Sequence, residues 1–204
     1  MTTPLVIVDL EATCWPASER EQAVEIMEVI EIGAVKVDQN GQQIDEFTTF
    51  VRPKENRRLS DFCQSLTGIS QADVDTAPDY PEAISIFDHW LGDIGGWAWA
   101  SWGRYDLRQL LSEKTRHGVK PSLLSIPHIN LKRPRRKSTR SRKQGLQAAL
   151  NFHDLKFVGN PHRGLDDAKN IAHLLPYIKP ELLQHELEMW EPTLWGRPSK
   201  NPLQ

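Results

Sequence analysis

The chain has 204 residues, with 25 Lys and Arg against 27 Asp and Glu and a net charge of −2 at pH 7. That length suits one domain with short extensions, and 39% hydrophobic residues together with 12 Gly are enough for a core. Two cysteines exclude a disulfide framework, no stretch approaches the roughly 20 apolar residues of a membrane span, and the N-terminus lacks the basic start of a secretory signal. A soluble cytoplasmic protein is expected.

Residues 5–10 (LVIVDL) form a short, β-branched apolar run, predicted as a buried strand ending near Asp9 to Glu11. Residues 29–37 and 44–51 predict two more strands, joined through the Gly-containing turn 38–41 as an antiparallel hairpin. Short helices are expected at 59–66 and 70–74, divided by Gly68, with Ser70 as an N-cap. Residues 80–91 have helical spacing, 97–102 fit a fourth strand, and 105–117 read as an amphipathic helix. A last strand is placed at 126–131, and a helix at 144–150 continues one entered through the preceding basic residues. Helices at 165–178 and 180–190 follow, and Pro192, Pro198 and Pro202 mark 191–204 as an extended tail. Strands first and helices interleaved afterwards describe an α/β domain with a mixed sheet.

Charge is unevenly placed. Residues 132–143 (KRPRRKSTRSRK) carry eight cations and no acid. Without them the remainder has 17 basic against 27 acidic residues, a net of −10. Such a run is either a solvated face or a contact for phosphates, whose neutralisation releases counterions.

Three segments concentrate carboxylates. Asp9 and Glu11 are two apart in a predicted strand and so share one face. Like charges side by side at the end of a buried strand need a cation, whether Arg, Lys or a divalent metal. Asp106 follows the fourth strand and Gly103, at the edge where α/β sheets place their sites, and it equally suits a helix start. His162, Asp166 and Asp167 surround another helix start, where capping explains the acids but not the imidazole. Several carboxylates with a histidine base suit two-metal phosphoryl-transfer chemistry, as in a nuclease.

The order Asp-x-Glu, a mid-chain Asp, then His and Asp near a late helix resembles the DEDDh branch of the 3′→5′ exonucleases. Residues 7–14 (IVDLEATC), 66–69 (LTGI), 101–103 (SWG) and 162–171 (HRGLDDAKNI) are similar to the enhancer-of-RNA-interference exoribonuclease subfamily. That subfamily includes histone-mRNA exonucleases and bacterial relatives similar to the KinA-pathway inhibitor. The resemblance implies a single-domain RNase H-like fold, a mixed sheet flanked by helices. It assigns residues 1–180 to the exonuclease domain and leaves 181–204 as a C-terminal helix and Pro-containing tail.

It further implies two divalent ions, Mg²⁺ or Mn²⁺, held by Asp9, Glu11, Asp106 and Asp167, with His162 as general base. Ala12 and Thr13 match positions that meet the terminal nucleotide in relatives. Were His162 and the acids on one continuous helix, Asp166 would share its face and Asp167 would not. Pro161 and Gly164 place His162 in a loop before the helix, which favours Asp167 as the ligand and Asp166 as its support. Cys14 and Cys63 are expected to be packed residues, and Trp102 a core residue; Glu31 receives no role. Where relatives carry an aromatic-containing stretch after Asn-Leu-Lys, this chain runs from Lys132 into Arg-Pro-Arg-Arg. Arg135, Arg136 and Arg140 are therefore expected to guide the substrate, a single-stranded nucleic acid with a free 3′ end, RNA ahead of DNA. The alternatives are a DNA-directed exonuclease and a non-catalytic regulator that binds nucleic acid or protein on the same fold.

Overall fold

A computed structural model of the chain describes residues 3–17 and 26–190. The predicted tail at 191–204 lies outside the described residues. Strands β1 (Leu5–Ala12), β2 (Val29–Val37), β3 (Gln43–Phe50), β4 (Ala98–Ser101) and β5 (His128–Asn130) form one sheet in the order β3-β2-β1-β4-β5. β1–β2 and β2–β3 pair antiparallel, whereas β1–β4 and β4–β5 pair parallel, so the sheet is mixed as expected. The parallel strands β1, β4 and β5 all end at the same edge of the sheet, where α/β folds collect functional groups.

Alternation along β1 sorts its side chains into two cores. Leu5 and Ile7 point to a core shared with Val35, Val37, Ala168, Ile171 and Leu174. Val6, Val8 and Leu10 point to the opposite one, with Ile84, Phe87, Leu107 and Leu110. Asp9 and Glu11 continue the odd-numbered series and therefore face the side that the helix at residues 164–172 covers.

The helices follow from local signals. Ser60 caps α1 (Asp61–Thr67) by accepting from the Cys63 N–H, and Ser70 forms a capping box with Asp73 at α2 (Gln71–Asp75). α3 (Tyr80–Leu91), with Asp79 as its N-cap, and α4 (Tyr105–His117) occupy the predicted ranges.

Two expectations are corrected further along. The basic stretch and residues 144–150 do not make one helix: α5 (Lys132–Thr139) stops where Arg140 turns left-handed at φ 52°, and α6 (Leu146–Asn151) begins after Gly145. The helix predicted at 165–178 is α7 (Gly164–Ala172), followed by a 3-10 turn at Leu175–Tyr177. Pro176 has no N–H to carry the α-helical ladder through that point. α8 (Pro180–Glu188) packs Leu183 and Leu187 into the same core as Leu5.

One contact sets the depth at which α7 docks. Gly164, the first residue of α7, lies against Gly33 of β2 so closely that a Cβ on Gly33 would sit 1.9 Å from the Gly164 carbonyl carbon. A Cβ on Gly164 would in turn come within 2.9 Å of the Asp9 carbonyl oxygen. Only two facing glycines allow this approach of backbone to backbone, and it brings the first turn of α7 onto the end of β1.

Candidate active site

β1 delivers Asp9 and Glu11, α4 delivers Asp106, and the loop before α7 delivers His162. Asp106 is held against β1: its Oδ1 accepts the Leu10 N–H at 3.1 Å. Its side chain is 4% exposed, so it is fixed against the β1 backbone and not at the surface. Asp167 lies in the first turn of α7, its N–H bonded to the Arg163 carbonyl. Ligand atoms of Glu11, His162 and Asp167 lie within 4.8 Å of one another, brought together from two distant segments of the sequence. His162 sits in the left-handed region at φ 63° and is exposed, so the helical spacing from His162 to Asp167 does not apply. Asp166 faces elsewhere and closes the preceding loop: it accepts the Asn160 N–H at 2.8 Å and packs against Gly159, whose missing side chain leaves room for its carboxylate.

Electrostatics describe a site built for cations. Burial, then the charges of Asp106, Glu11, Asp167 and Glu31, hold the Asp9 carboxyl well above the ordinary range. Glu11 is raised in the same way, by burial and then by Asp167, Glu31 and Asp106. Asp106 is pushed to about 6 by burial, despite the hydrogen bond from Leu10 and the nearby Lys132 charge. Asp167 rises to about 7, again chiefly through burial, opposed by a hydrogen bond from the His162 backbone. Carboxylates gathered this closely repel one another unless hard cations join them, and oxygen donors are the right set for Mg²⁺, Mn²⁺ or Ca²⁺.

Glu31, to which the sequence assigned no part, organises the loop. It stands opposite Glu11 in the β1–β2 register and is 1% exposed. Its carboxylate accepts from Arg163 Nε and Nη2, both at 3.2 Å, from the Gly164 N–H at 3.0 Å, and from Thr48 Oγ1 at 3.1 Å. Arg163 also lies over the Phe50 ring. Glu31 thus ties the residue after His162 to the sheet. The available signal was a single acid within the otherwise apolar run VIEIGAV.

The expected substrate contacts occupy different environments. Arg135 is 1% exposed; it bonds Ser141, Gln144 and the Ala149 carbonyl and lies over Phe152, tying α5 to α6 rather than facing a ligand. Arg140 is exposed at the end of α5 but does not line the groove that the other cations form. Thr13 is 1% exposed, with its hydroxyl accepting the Glu28 N–H at 3.0 Å, so its side chain is a tie between β1 and the segment before β2. Ala12 is buried, its carbonyl accepting from Cys63 Sγ at 3.7 Å. Trp102 is a core residue whose Nε1 donates to the Gln144 carbonyl. Cys14 and Cys63, the latter on α1, are buried in the same core cluster.

Arg136 belongs to a different assembly. With Arg104, Asn130, Lys132, Arg133 and Lys143 it lines an open groove of about 480 Å³.

Comparison with known proteins gives a consistent picture. The family model described as Exonuclease matches residues 6–175. The 3′-5′ exonuclease eri1 of Schizosaccharomyces pombe is 29% identical, over 97% of this chain and 73% of its own length. Human 3′-5′ exoribonuclease 1 is 32% identical, over 83% of this chain and 50% of its own. The chain spans 27% of human ERI1 exoribonuclease 2, at 31% identity. Among solved structures, the nuclease domain of 3′hExo, a DEDDh family member bound to rAMP, superposes with a TM-score of 0.78 at 29% identity, over 92% of this chain and 94% of that one.

Proposed function

This chain belongs to the Exonuclease family, in its DEDDh, Eri1-like branch, and from that premise we propose that it hydrolyses single-stranded RNA from the 3′ end, releasing 5′-nucleotides. The observation that carries the reading is the convergence of Glu11, His162 and Asp167 within 4.8 Å, beside Asp9 and the buried Asp106.

In this reading Asp9, Glu11, Asp106 and Asp167 hold two divalent cations, Mg²⁺ or Mn²⁺. When bound, the ions neutralise charge on the attacking and leaving oxygens at phosphorus. The residues do the rest. Asp106, locked to Leu10, and Asp9 and Glu11, on one strand face, hold their carboxylates in place before substrate arrives. His162, on an exposed turn secured through Arg163 to Glu31, takes a proton from the attacking water at the ring nitrogen that lies near Glu11 and Asp167. The water oxygen forms the new bond to phosphorus, the bond from phosphorus to the 3′ oxygen of the preceding nucleotide breaks, and that oxygen takes a proton from solvent water and leaves as a hydroxyl. RNA is favoured as substrate because relatives are named exoribonucleases, the 3′hExo nuclease domain is bound to rAMP, and a structurally similar 3′-exonuclease recognises a histone mRNA stem-loop. A reducing compartment such as the cytosol suits the free, buried Cys14 and Cys63. Among the described residues no helix is long and apolar enough to cross a membrane.

The test is digestion of a 5′-labelled single-stranded RNA and its DNA counterpart with Mg²⁺, Mn²⁺ or EDTA, beside Asp9→Ala. A ladder shortening from the 3′ end, absent in EDTA and in the variant, is the expected result. Faster digestion of DNA would move the substrate assignment. Folded protein that cuts neither strand would refute hydrolysis and leave a binding role.

A further inference from the structure

We propose that the groove lined by Arg104, Asn130, Lys132, Arg133, Arg136 and Lys143 is the track for the phosphodiester backbone of the single strand, on the 5′ side of the bond being cut. This rests on the nuclease reading above and extends it to the part of the strand that lies outside the carboxylate cluster.

The composition of the groove selects the ligand. Five of its six lining residues are cations, the sixth is an amide, and none is an acid or an aromatic. Cations without a stacking surface recognise phosphates and are indifferent to bases. The groove draws on parts of the chain that the basic run does not include: Arg104 comes from the turn entering α4 and Asn130 from the end of β5.

The groove is also built, not merely a crowd of surface charges. Glu186 of α8, itself buried, holds Arg133 at 3.2 Å, and its charge also supports Arg104. α8 therefore presents a carboxylate from below that keeps mutually repelling guanidinium groups in one place. On another face of α5, Arg135 is consumed by internal bonds and anchors the helix to α6. Position 135 holds the helix down while 132, 133 and 136 line the groove.

Continuity with the carboxylates supplies the direction. Lys132 packs along Gly103, with Nζ 3.7 Å from the place a Cβ would occupy. Its charge is felt by Asp106 and Asp9. The groove thus meets the carboxylates at Lys132, and exposed Arg136 and Lys143 line it together with that residue. A strand whose last phosphate lies at Asp9 and Asp106 has its preceding phosphates among cations. An acidic protein partner would use the same charge, but it would have no reason to share an end with the hydrolytic centre.

The experiment reads binding without cleavage. Arg136→Gln/Lys143→Gln and the parent are titrated with a fluorescent single-stranded RNA of about 20 nucleotides in EDTA, from about 20 to about 300 mM salt. A charge-matched control, Lys114→Gln/Lys120→Gln, alters exposed residues at and beyond the far end of α4. Neutralising a phosphate contact on a single strand removes about 0.7 from the slope of log K against log salt. Loss of two contacts lowers the slope by about 1.4, equivalent to roughly 25-fold weaker binding at about 0.1 M salt relative to a 1 M reference. The control should keep the parental slope, and thermal unfolding should show both variants folded.

An unchanged slope in the groove variant, an equal fall in the control, or no measurable RNA binding by the parent would each overturn the track. Cleavage by the parent in Mg²⁺, scored separately, decides the nuclease reading. A parent that binds with the expected slope but never cuts retains the groove and loses the hydrolysis.

Discussion

Asp106 offers a direct way to ask whether the carboxylates are strained without metal. Burial raises its pKa from the ordinary 3.8 to about 6. At 1.36 kcal/mol per unit, ionised Asp106 destabilises the metal-free fold by about 3 kcal/mol. The sign follows from proton binding. Between pH 4 and 6 the folded protein holds a proton that the unfolded chain has released, so this group's effect on stability becomes more unfavourable as pH rises through that window. Below pH 4 both states are protonated and the penalty is absent; above pH 7 it is complete. Asp106→Asn keeps an acceptor for the Leu10 N–H at 3.1 Å and removes the charge. Allowing for a weaker neutral hydrogen bond, the variant should gain about 1–3 kcal/mol at pH 8 in EDTA. For a chain of this length that is roughly 2–12 °C in Tm. The gain should vanish near pH 4. Mg²⁺ at 100 times its Kd should raise parental stability by about 2.7 kcal/mol and the variant's by less, narrowing or reversing the order of the two melting curves. Circular dichroism melts at the two pH values, with and without Mg²⁺, make the measurement. A variant less stable than the parent at pH 8 in EDTA, or equally stabilised at pH 4 and 8, would refute the argument that this carboxylate is strained when no cation is bound.

Four further outcomes are expected. Gly33→Ala drives a methyl into the Gly164 and Leu165 backbone at 1.9–2.0 Å, so α7 must retreat; stability should fall by at least the ~1–3 kcal/mol of ordinary overpacking, and kcat should fall as Asp167 withdraws from Glu11. Glu31→Ala should reduce kcat about 10–100-fold by loosening the His162 loop, and Glu31→Gln, which keeps an acceptor for Gly164, should restore most of it; equal rates in the two variants would count against a positioning role. Arg135→Gln should cost about 2–4 kcal/mol in urea unfolding, through buried partners left unpaired, while leaving the salt slope of RNA binding at the parental value. His162→Ala should lower kcat by about 10²–10⁴-fold with little change in Tm, because the side chain is exposed; a normal pH–rate profile in that variant would point to a different base.

Much of the fold was legible because its elements carry strong local signals. β2, α3 and α4 occupy the expected ranges, and the turn at Gly41 joins β2 to β3 as expected. The pairing of Asp9 with Glu11 on one face followed from strand geometry alone. The His162–Asp167 relation needed Pro161 and Gly164 as well: they predict His162 in a loop before the helix, and the structure places it there at positive φ. Glu31 was visible but unreadable, since its meaning depends on Arg163 and Gly164, more than 130 positions away. The break between α5 and α6 had no proline to announce it; Arg140 in a left-handed conformation ends the helix instead.

The basic run shows most clearly what composition conceals. Successive residues on a helix point about 100° apart, so consecutive arginines cannot all serve one surface. Arg135 enters the protein, where three hydrogen-bond partners and the Phe152 ring replace water, while its neighbour Arg136 faces the groove. The sequence shows eight cations in twelve residues. Only the structure shows that at least one is spent on fixing the helix, and that the groove recruits Arg104 from nearly thirty positions upstream. The carboxylate cluster and this groove carry opposite charge, and they meet at Lys132, whose field reaches Asp106 and Asp9. That junction suits a strand carrying a negative charge at every nucleotide: cations hold the phosphates that remain, and carboxylates with their metals engage the one that leaves.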